Sequence, residues 1–390
     1  MKKRSSIIVA LLIFVALVAV ISPLETVVGS IQEQNNINDS KPNEQELVEF
    51  NKLLEENTYH YYNSLNETQK DAYEVMYTSF MSFEDSFSIC TTADEANDIF
   101  VAVLYDNPHI FWVSNNYKYV ENTSSITFNP EYRLTETESN EISQKLNKKV
   151  NEIVSSIETS SSEYEKELYI HNYVCENTVY DENTFNSDGD TAYGALLNGK
   201  AICEGYSRAI QILLDAVDID NYLVIGDGIT DVKIEPHMWN IVNINGSNYH
   251  LDATWNDSGA DNSILYFYFN VTDEYIQRDH SNIVPLNNNC FTNMFNYFIV
   301  TDSYVDVFNG YNGHLSRSVN ALSAGQNQVE FLFKDSTDLK KAVSYIEKDI
   351  GFFNYIYTCV KQSGRNLNPY EIEYYTIDEQ NYLCIVFKED

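Results

Sequence analysis

Positive charge is what this chain has least of. Its 390 residues carry 24 lysines and arginines against 58 aspartates and glutamates, a formal net charge of −34 at pH 7. Such a surface repels a phosphate backbone, which excludes nucleic acid as a partner. Cysteine is sparse too. The six, Cys90, Cys175, Cys203, Cys290, Cys359 and Cys384, are scattered too widely to form a disulfide framework. Several sit in apolar strings such as "YLCIVF" and read as small buried hydrophobes. If Cys203 stays free for chemistry, five remain, so at least one more is unpaired as well. No internal repeat is present, and no low-complexity tract. A long apolar run is also missing: the longest, Ile7–Ile21, is fifteen residues, short of the roughly 20 that span a bilayer.

That short run has another meaning. Lys2, Lys3 and Arg4 precede it and Val28-Gly29-Ser30 follows, the layout of an export signal cleaved near Ser30, with an uncleaved membrane anchor as the alternative. No cysteine follows to take a lipid. The expected location is secreted or at the extracellular surface, with membrane contact only through this segment if at all. The acidic surplus then keeps an exported chain soluble, and a cationic partner such as a basic peptide or cell-wall amine stays open.

Residues 31–43 are polar and aperiodic, a flexible tether. Between 44 and 132 "NEQELVEFNKLL", "TQKDAYEVMYTSFMSF" and "ADEANDIFVAVLYD" space their apolar residues three and four apart. "PHIFWVSNNYKYV" and "SSITFNPEY" alternate instead, giving a helical prelude with a small hairpin. A core is expected over 133–285. It opens with the helical patterns "ETESNEISQKLNKKVNEIVSSIE" and "SSEYEKELYIHNYVCENTVY", the latter supported by Tyr164, Leu168, Ile170 and Val174. After Pro285 a Gly- and Asn-containing joint, 309–327, leads to a small α+β module over 325–390. It is built from "QVEFLF", the helix-like "STDLKKAVSYIEKD", "NYIYTCV", "YEIEYYTI" and "NYLCIVF".

Chemistry concentrates in the core. Tyr206, Ile210, Leu213, Leu214 and Val217 form one apolar stripe, so a helix begins at or just before Cys203. A thiol there meets unpaired backbone N–H groups and the positive end of the helix dipole, both of which favour the reactive thiolate. Glu204 opposes this. Taken alone, Cys203 could equally be a buried packing residue. Downstream, Asn245-Gly246 lies between alternating apolar residues, a two-residue hairpin signal. Such a turn pairs 244 with 247, faces Trp239 to Asp252 and sets His237 diagonally from Asp252. Diagonal neighbours sit about 7–8 Å apart, within reach of a carboxylate for an imidazole. His237 and Asp252 could form a base and its orienter, lacking only a nucleophile, for which Cys203 is the best-placed candidate.

Other readings carry less. "GALLNGKA", from Gly194 to Lys200, has phosphate-loop spacing, but Ala201 stands where Ser or Thr would hold magnesium and no buried strand leads in. Cys203, His237, His250 and Asp252 could hold zinc in principle, yet their spacing lacks a paired ligand signature. His171 lies beside Ile170 and Val174 and reads as packing. The acidic loop Asn256–Asn262 lacks a full calcium pattern and reads as a solvated turn. No metal or cofactor is expected.

"YGALLNGKAICEGYSRAIQILL", "HMWNIV", "YHLDATWND" and "YFNVTDEYIQRDH" resemble, in order and spacing, the core of the transglutaminase-like superfamily. "ELYIHNYVCENTVYD" and "DNPHIFWV" are similar to flanks of its exported bacterial members. The resemblance covers about residues 95–280. It implies an α+β, papain-like fold in which a helix bearing the cysteine packs on an antiparallel sheet bearing histidine and aspartate. It further implies Cys203 as nucleophile, His237 as base, Asp252 as its orienter, and Trp239 and Trp255 as aromatic residues shaping the substrate site. The implied reaction is cysteine acyl chemistry on a peptide or carboxamide bond, with water or an amine as acceptor. A silent module that binds through the old cleft is the alternative.

Overall fold

Four helices begin with the same local chemistry. Asn66, Thr92, Thr135 and Ser162 each accept from the backbone N–H three residues on, and Gln69, Glu95, Glu138 and Glu165 reach back to the cap. These reciprocal capping boxes satisfy otherwise unpaired donors and start α1 (Glu67–Met81), α2 (Ala93–Asp106), α3 (Glu136–Val154) and α4 (Glu163–Asn177).

The computed structural model describes residues 2–3, 59–184, 187–230, 232–257, 264–285 and 288–389. The export segment beyond Lys2 and Lys3, the tether, the helical pattern of 43–54 and most of the acidic loop after Asn256 lie outside the described residues. Among the described residues no helix is long and apolar enough to cross a membrane. Residues 59–257 with 272–291 form one unit, and 264–271 with 292–389 belong to a second.

In the first unit, β1 (Phe87–Ile89), β2 (Val113–Glu121) and β3 (Ile126–Tyr132) form an antiparallel sheet in the order β1-β3-β2. Its core is aromatic: Phe80, Phe87, Phe100 and Tyr117 all surround Phe128, with ring centroids 4.4–6.2 Å apart. Each buried phenyl contributes about 1.5–3 kcal/mol. The next helix, α5 (Cys203–Asp215), buries Tyr206, Ala209, Ile210, Leu213 and Leu214; Val217 falls just past its end. From its flank Arg208 donates to the Leu104 carbonyl at 2.7 Å and Gln211 to that of Tyr105 at 2.8 Å. Both carbonyls lie in the last turn of α2, where helical partners run out. These bonds, invisible to periodicity, join the expected prelude and core into one unit with no break near 132.

Behind α5 lie β4 (Asn221–Ile229), β5 (Ile234–Ile244), β6 (Ser247–Leu251) and β7 (His280–Val284), antiparallel neighbours in the order β6-β5-β4-β7. The β5–β6 register runs from Ile244↔Ser247 to Asn240↔Leu251, as the Asn-Gly turn requires. Asn245 and Gly246 take φ of 50° and 79°, the left-handed pair that matches strand twist.

In the second unit, β8 (Tyr304–Val305), β9 (Gln328–Phe333), β10 (Leu367–Ile377) and β11 (Tyr382–Glu389) pair in the order β10-β11-β9-β8, with Lys2–Lys3 parallel to the outer edge of β10. Helices α6 (Leu315–Ser323), α7 (Ser336–Glu347) and α8 (Phe352–Ser363) supply the rest of its core. "NYIYTCV" is helical, burying Tyr355, Ile356 and Cys359. The expected joint at 309–327 is itself folded: α6 puts Leu322 in the core. The module therefore begins before 325.

Candidate functional site

Cys203 is the first residue of α5, and that helix start differs from the four described above. Ile202 occupies the cap position and offers no side-chain acceptor. The first-turn N–H groups therefore remain available to an anion. Glu204, beside the thiol, is paired with Arg208 at 2.9 Å, so its charge is offset. Two bonds fix the helix against β5. Ser207 Oγ–H is shared between the Cys203 carbonyl at 2.9 Å and the Met238 carbonyl at 3.0 Å, and Asn240 donates to the Ser207 carbonyl at 3.0 Å.

These contacts bring Cys203 to His237. Cys203 lies close enough to His237 to favour the charged ring, and His237 Nε2 lies 2.6 Å from Asp252 Oδ2, which leaves Nδ1 as the nitrogen that can serve the sulfur. Burial opposes a charge on His237, but Asp252 and Cys203 outweigh it and push the ring's pKa up to about 10. Burial would likewise raise Asp252; the charge and hydrogen bond of His237, with a bond from His280, instead hold its carboxyl well below the usual range. The second oxygen of Asp252 accepts the Trp255 N–H at 3.1 Å, capping the short helix Ala253–Asn256.

The structure thus brings Cys203, His237 and Asp252 into one line. Trp255 is half-buried, its ring 5.3 Å from that of His237. Trp239 is corrected. Expected to touch substrate, it has no exposed surface; it stacks under His237 at 5.8 Å and donates from Nε1 to His250 Nδ1 at 2.9 Å. Its position in the middle of β5, covered by β4 and β7, leaves it a floor and not a wall. Two glycines of β4 make room for these indoles. A Cβ on Gly228 would meet Trp255 at 2.8 Å, and one on Gly226 would meet Trp239 at 2.9 Å.

His250 does not join the thiol. Its Nε2 lies 2.9 Å from Asp273 Oδ1, so the proposed zinc set is split between two places. Among the described residues two groups of donors do lie within 4.8 Å of one another: His237, Asp252 and His280, and His250, Asp273 and Cys290. In the second, the Trp239 N–H occupies His250 Nδ1, which leaves the ring proton on Nε2, where a metal would need a lone pair. In the first, a metal would compete with the His237–Asp252 bond. Lys200 of the phosphate-loop pattern is paired with Asp181 at 2.9 Å, and Gly194–Asn198 is a buried π-type turn.

His171 is fully buried, as expected for packing, and its Nε2 accepts from Asn256 Nδ2 at 3.0 Å. Burial lowers its pKa to about 4. With the Cys175 thiol, 3.5 Å from the Ala253 carbonyl, it ties α4 to the turn that follows Asp252. Two further residues at the site went unassigned in the sequence. Tyr180, half-buried, has its phenol pKa raised first by burial and then by the charge of Cys203, so it lies within electrostatic range of the sulfur. His280 stands within reach of Asp252. It closes "YFNVTDEYIQRDH", and its position at the end of a family-like string was the available signal.

A family model described as the Transglutaminase-like superfamily matches residues 150–253, a stretch that contains Cys203, His237 and Asp252. No curated protein matches the chain. Among solved structures, one described as a TGase is 14% identical over 43% of this chain and 50% of its own, with a TM-score of 0.26. A candidate cysteine protease from Cytophaga hutchinsonii is 14% identical over 36% and 61%, TM-score 0.24. A candidate protease from Parabacteroides distasonis is 12% identical over 35% and 36%, TM-score 0.23. The chain spans 36% to 61% of the length of these structures. Residues 150–253, an α+β core in which a cysteine-bearing helix packs on an antiparallel sheet, are thus similar to the transglutaminase-like superfamily.

Proposed function

We propose that this protein is an exported cysteine enzyme that cleaves or exchanges peptide or carboxamide bonds through Cys203, His237 and Asp252. The observation that carries the reading is the arrangement of Cys203 at the uncapped start of α5, His237 within its electrostatic reach, and Asp252 at 2.6 Å from His237. In the first step the sulfur bonds to the substrate's carbonyl carbon while its proton resides on His237. First-turn N–H groups of α5 face the oxygen that gains charge. The C–N bond then breaks, the leaving amine takes the proton from His237, and a thioester remains. Asp252 keeps the imidazole turned towards the sulfur throughout.

Water attacking the thioester loses a proton through His237 to the departing sulfur and yields an acid. An amine in its place yields a new amide. Water is always present, whereas an amine competes only when bound and oriented, so hydrolysis is the favoured outcome. The substrate is a protein or peptide, with Trp255 lining its approach, and no cofactor takes part.

The test is a glutamine donor peptide incubated with and without labelled cadaverine, read by mass spectrometry, with Cys203→Ala as control. Release of the acid that depends on Cys203 supports hydrolysis, and Cys203-dependent incorporation of cadaverine makes the protein a cross-linking enzyme. Silence towards both, and towards a broad peptide library, favours the binding-module reading.

A further inference from the structure

His280, the first residue of β7, is fully buried between two carboxylates. Its Nδ1 lies 2.7 Å from Asp279 Oδ1 and its Nε2 3.4 Å from Asp252 Oδ2. An ionised carboxylate only accepts, so the 2.7 Å approach to Asp279 calls for a proton on Nδ1, and a second proton on Nε2, facing Asp252, would make the ring an imidazolium. The Nε2 contact is long for a hydrogen bond, but it falls on the same oxygen that receives His237. The ring is enclosed by aromatic rings, with centroids 4.4 Å from Trp255, 4.9 Å from Trp239 and 5.5 Å from His237.

We propose that His280 is a positioning residue for the acyl-transfer site, an imidazolium anchored on Asp279 that clamps Asp252 Oδ2 towards His237. The inference rests on the proposed function. Asp252 has three donors: the Trp255 N–H on Oδ1, and His237 and His280 on Oδ2. With both oxygens claimed the carboxylate cannot rotate, and the oxygen facing His237 is always the same one. The titratable groups facing His280 are Asp279 and Asp252 at its two nitrogens, His237 among the enclosing rings, and His250, whose protonation its charge disfavours.

The electrostatic consequence has a definite sign. Removing a cation from beside His237, Asp252 and the thiol makes every one of them harder to deprotonate, so the pH window in which the thiolate faces an imidazolium moves upward at both ends. A purely structural role would lower reactivity without moving that window.

The experiment measures the rate of Cys203 carboxymethylation by iodoacetate from pH 4 to 11 in the full chain. His280→Phe keeps a ring in that enclosure but removes both donors and the charge. It is expected to slow labelling near pH 6 by about 10–100-fold, the usual cost of losing such a supporting contact, and to shift both limbs to higher pH. His280→Gln, which keeps one donor, should recover part of the rate. Asp279→Asn, which loosens the anchor at its more exposed end, should shift the limbs the same way by less. A His280→Phe profile that superimposes on wild type overturns the inference, as does a loss of rate with unmoved limbs in both His280→Phe and Asp279→Asn. A wild-type chain whose Cys203 shows no such window removes the acyl-transfer reading and this inference together.

Discussion

Two buried histidines on adjacent strands, His237 of β5 and His250 of β6, are each bonded through Nε2 to an aspartate, at 2.6 Å and 2.9 Å. Their protonation is driven in opposite directions. His237 meets a thiol at its other nitrogen and its pKa rises to about 10; His250 meets the Trp239 N–H there, and burial lowers its pKa. A His–Asp pair is therefore not a function. What faces the second nitrogen decides whether the ring can carry charge: a group that can become an anion invites a second proton, while a donor forbids one.

The sharpest way to break this comparison is to change the aspartates. Under the proposed function, Asp252→Asn should reduce Cys203-dependent turnover by about 10³–10⁴-fold, the scale of losing the orienting carboxylate in a catalytic triad. The counterpart, Asp273→Asn, should leave the rate of Cys203 labelling within about twofold, since it orients no base. Equal losses would show that the two pairs are equivalent.

Stability against pH sharpens it further. The raised pKa of His237 contributes stability that is full below about pH 6.5, the unfolded value, and is lost as pH rises towards about 10. The lowered pKa of His250 acts the other way: stability falls as pH drops below about 6.5, where the unfolded ring binds a proton that the folded ring resists. Thermal melting of His237→Ala should lose the alkaline decline and that of His250→Phe should lose part of the acid one. Exchanged limbs would refute the assignment.

Trp239→Phe removes the donor that keeps His250 neutral. The pKa of His250, followed by NMR, should rise, with a stability cost of about 1–3 kcal/mol for the lost buried bond and indole volume. A comparable cost is expected at Gly228→Ala. Its Cβ would press on Trp255 at 2.8 Å, costing about 1–3 kcal/mol as overpacking and slowing Cys203 labelling while leaving His250 unmoved.

Much of this was legible in the sequence for local reasons. The Asn-Gly turn dictates the β5–β6 register, and the register brings His237 to Asp252. The apolar stripe after Cys203 dictates where α5 begins. His280 was not legible. It comes 28 residues after Asp252 in the chain, and nothing local says that β7 pairs with β4 and not with another edge. The fold of 309–327 was missed because Gly310, Gly313 and Gly325 punctuate it, although α6 between them has an apolar face.

The division follows from the range of the forces involved. Turn chemistry, helix periodicity, the acidic charge balance and the cysteine, histidine and aspartate of the site depend on residues a few positions apart, and the sequence determined them. Which imidazole carries charge, whether Trp239 meets substrate or stays buried, and which groups surround Asp252 depend on what distant segments place within hydrogen-bond reach and shield from water. Burial removes the solvent that would otherwise level such groups to their ordinary behaviour. Only the packing of α5, β4, β5, β6 and β7 into one sheet-and-helix layer decided them.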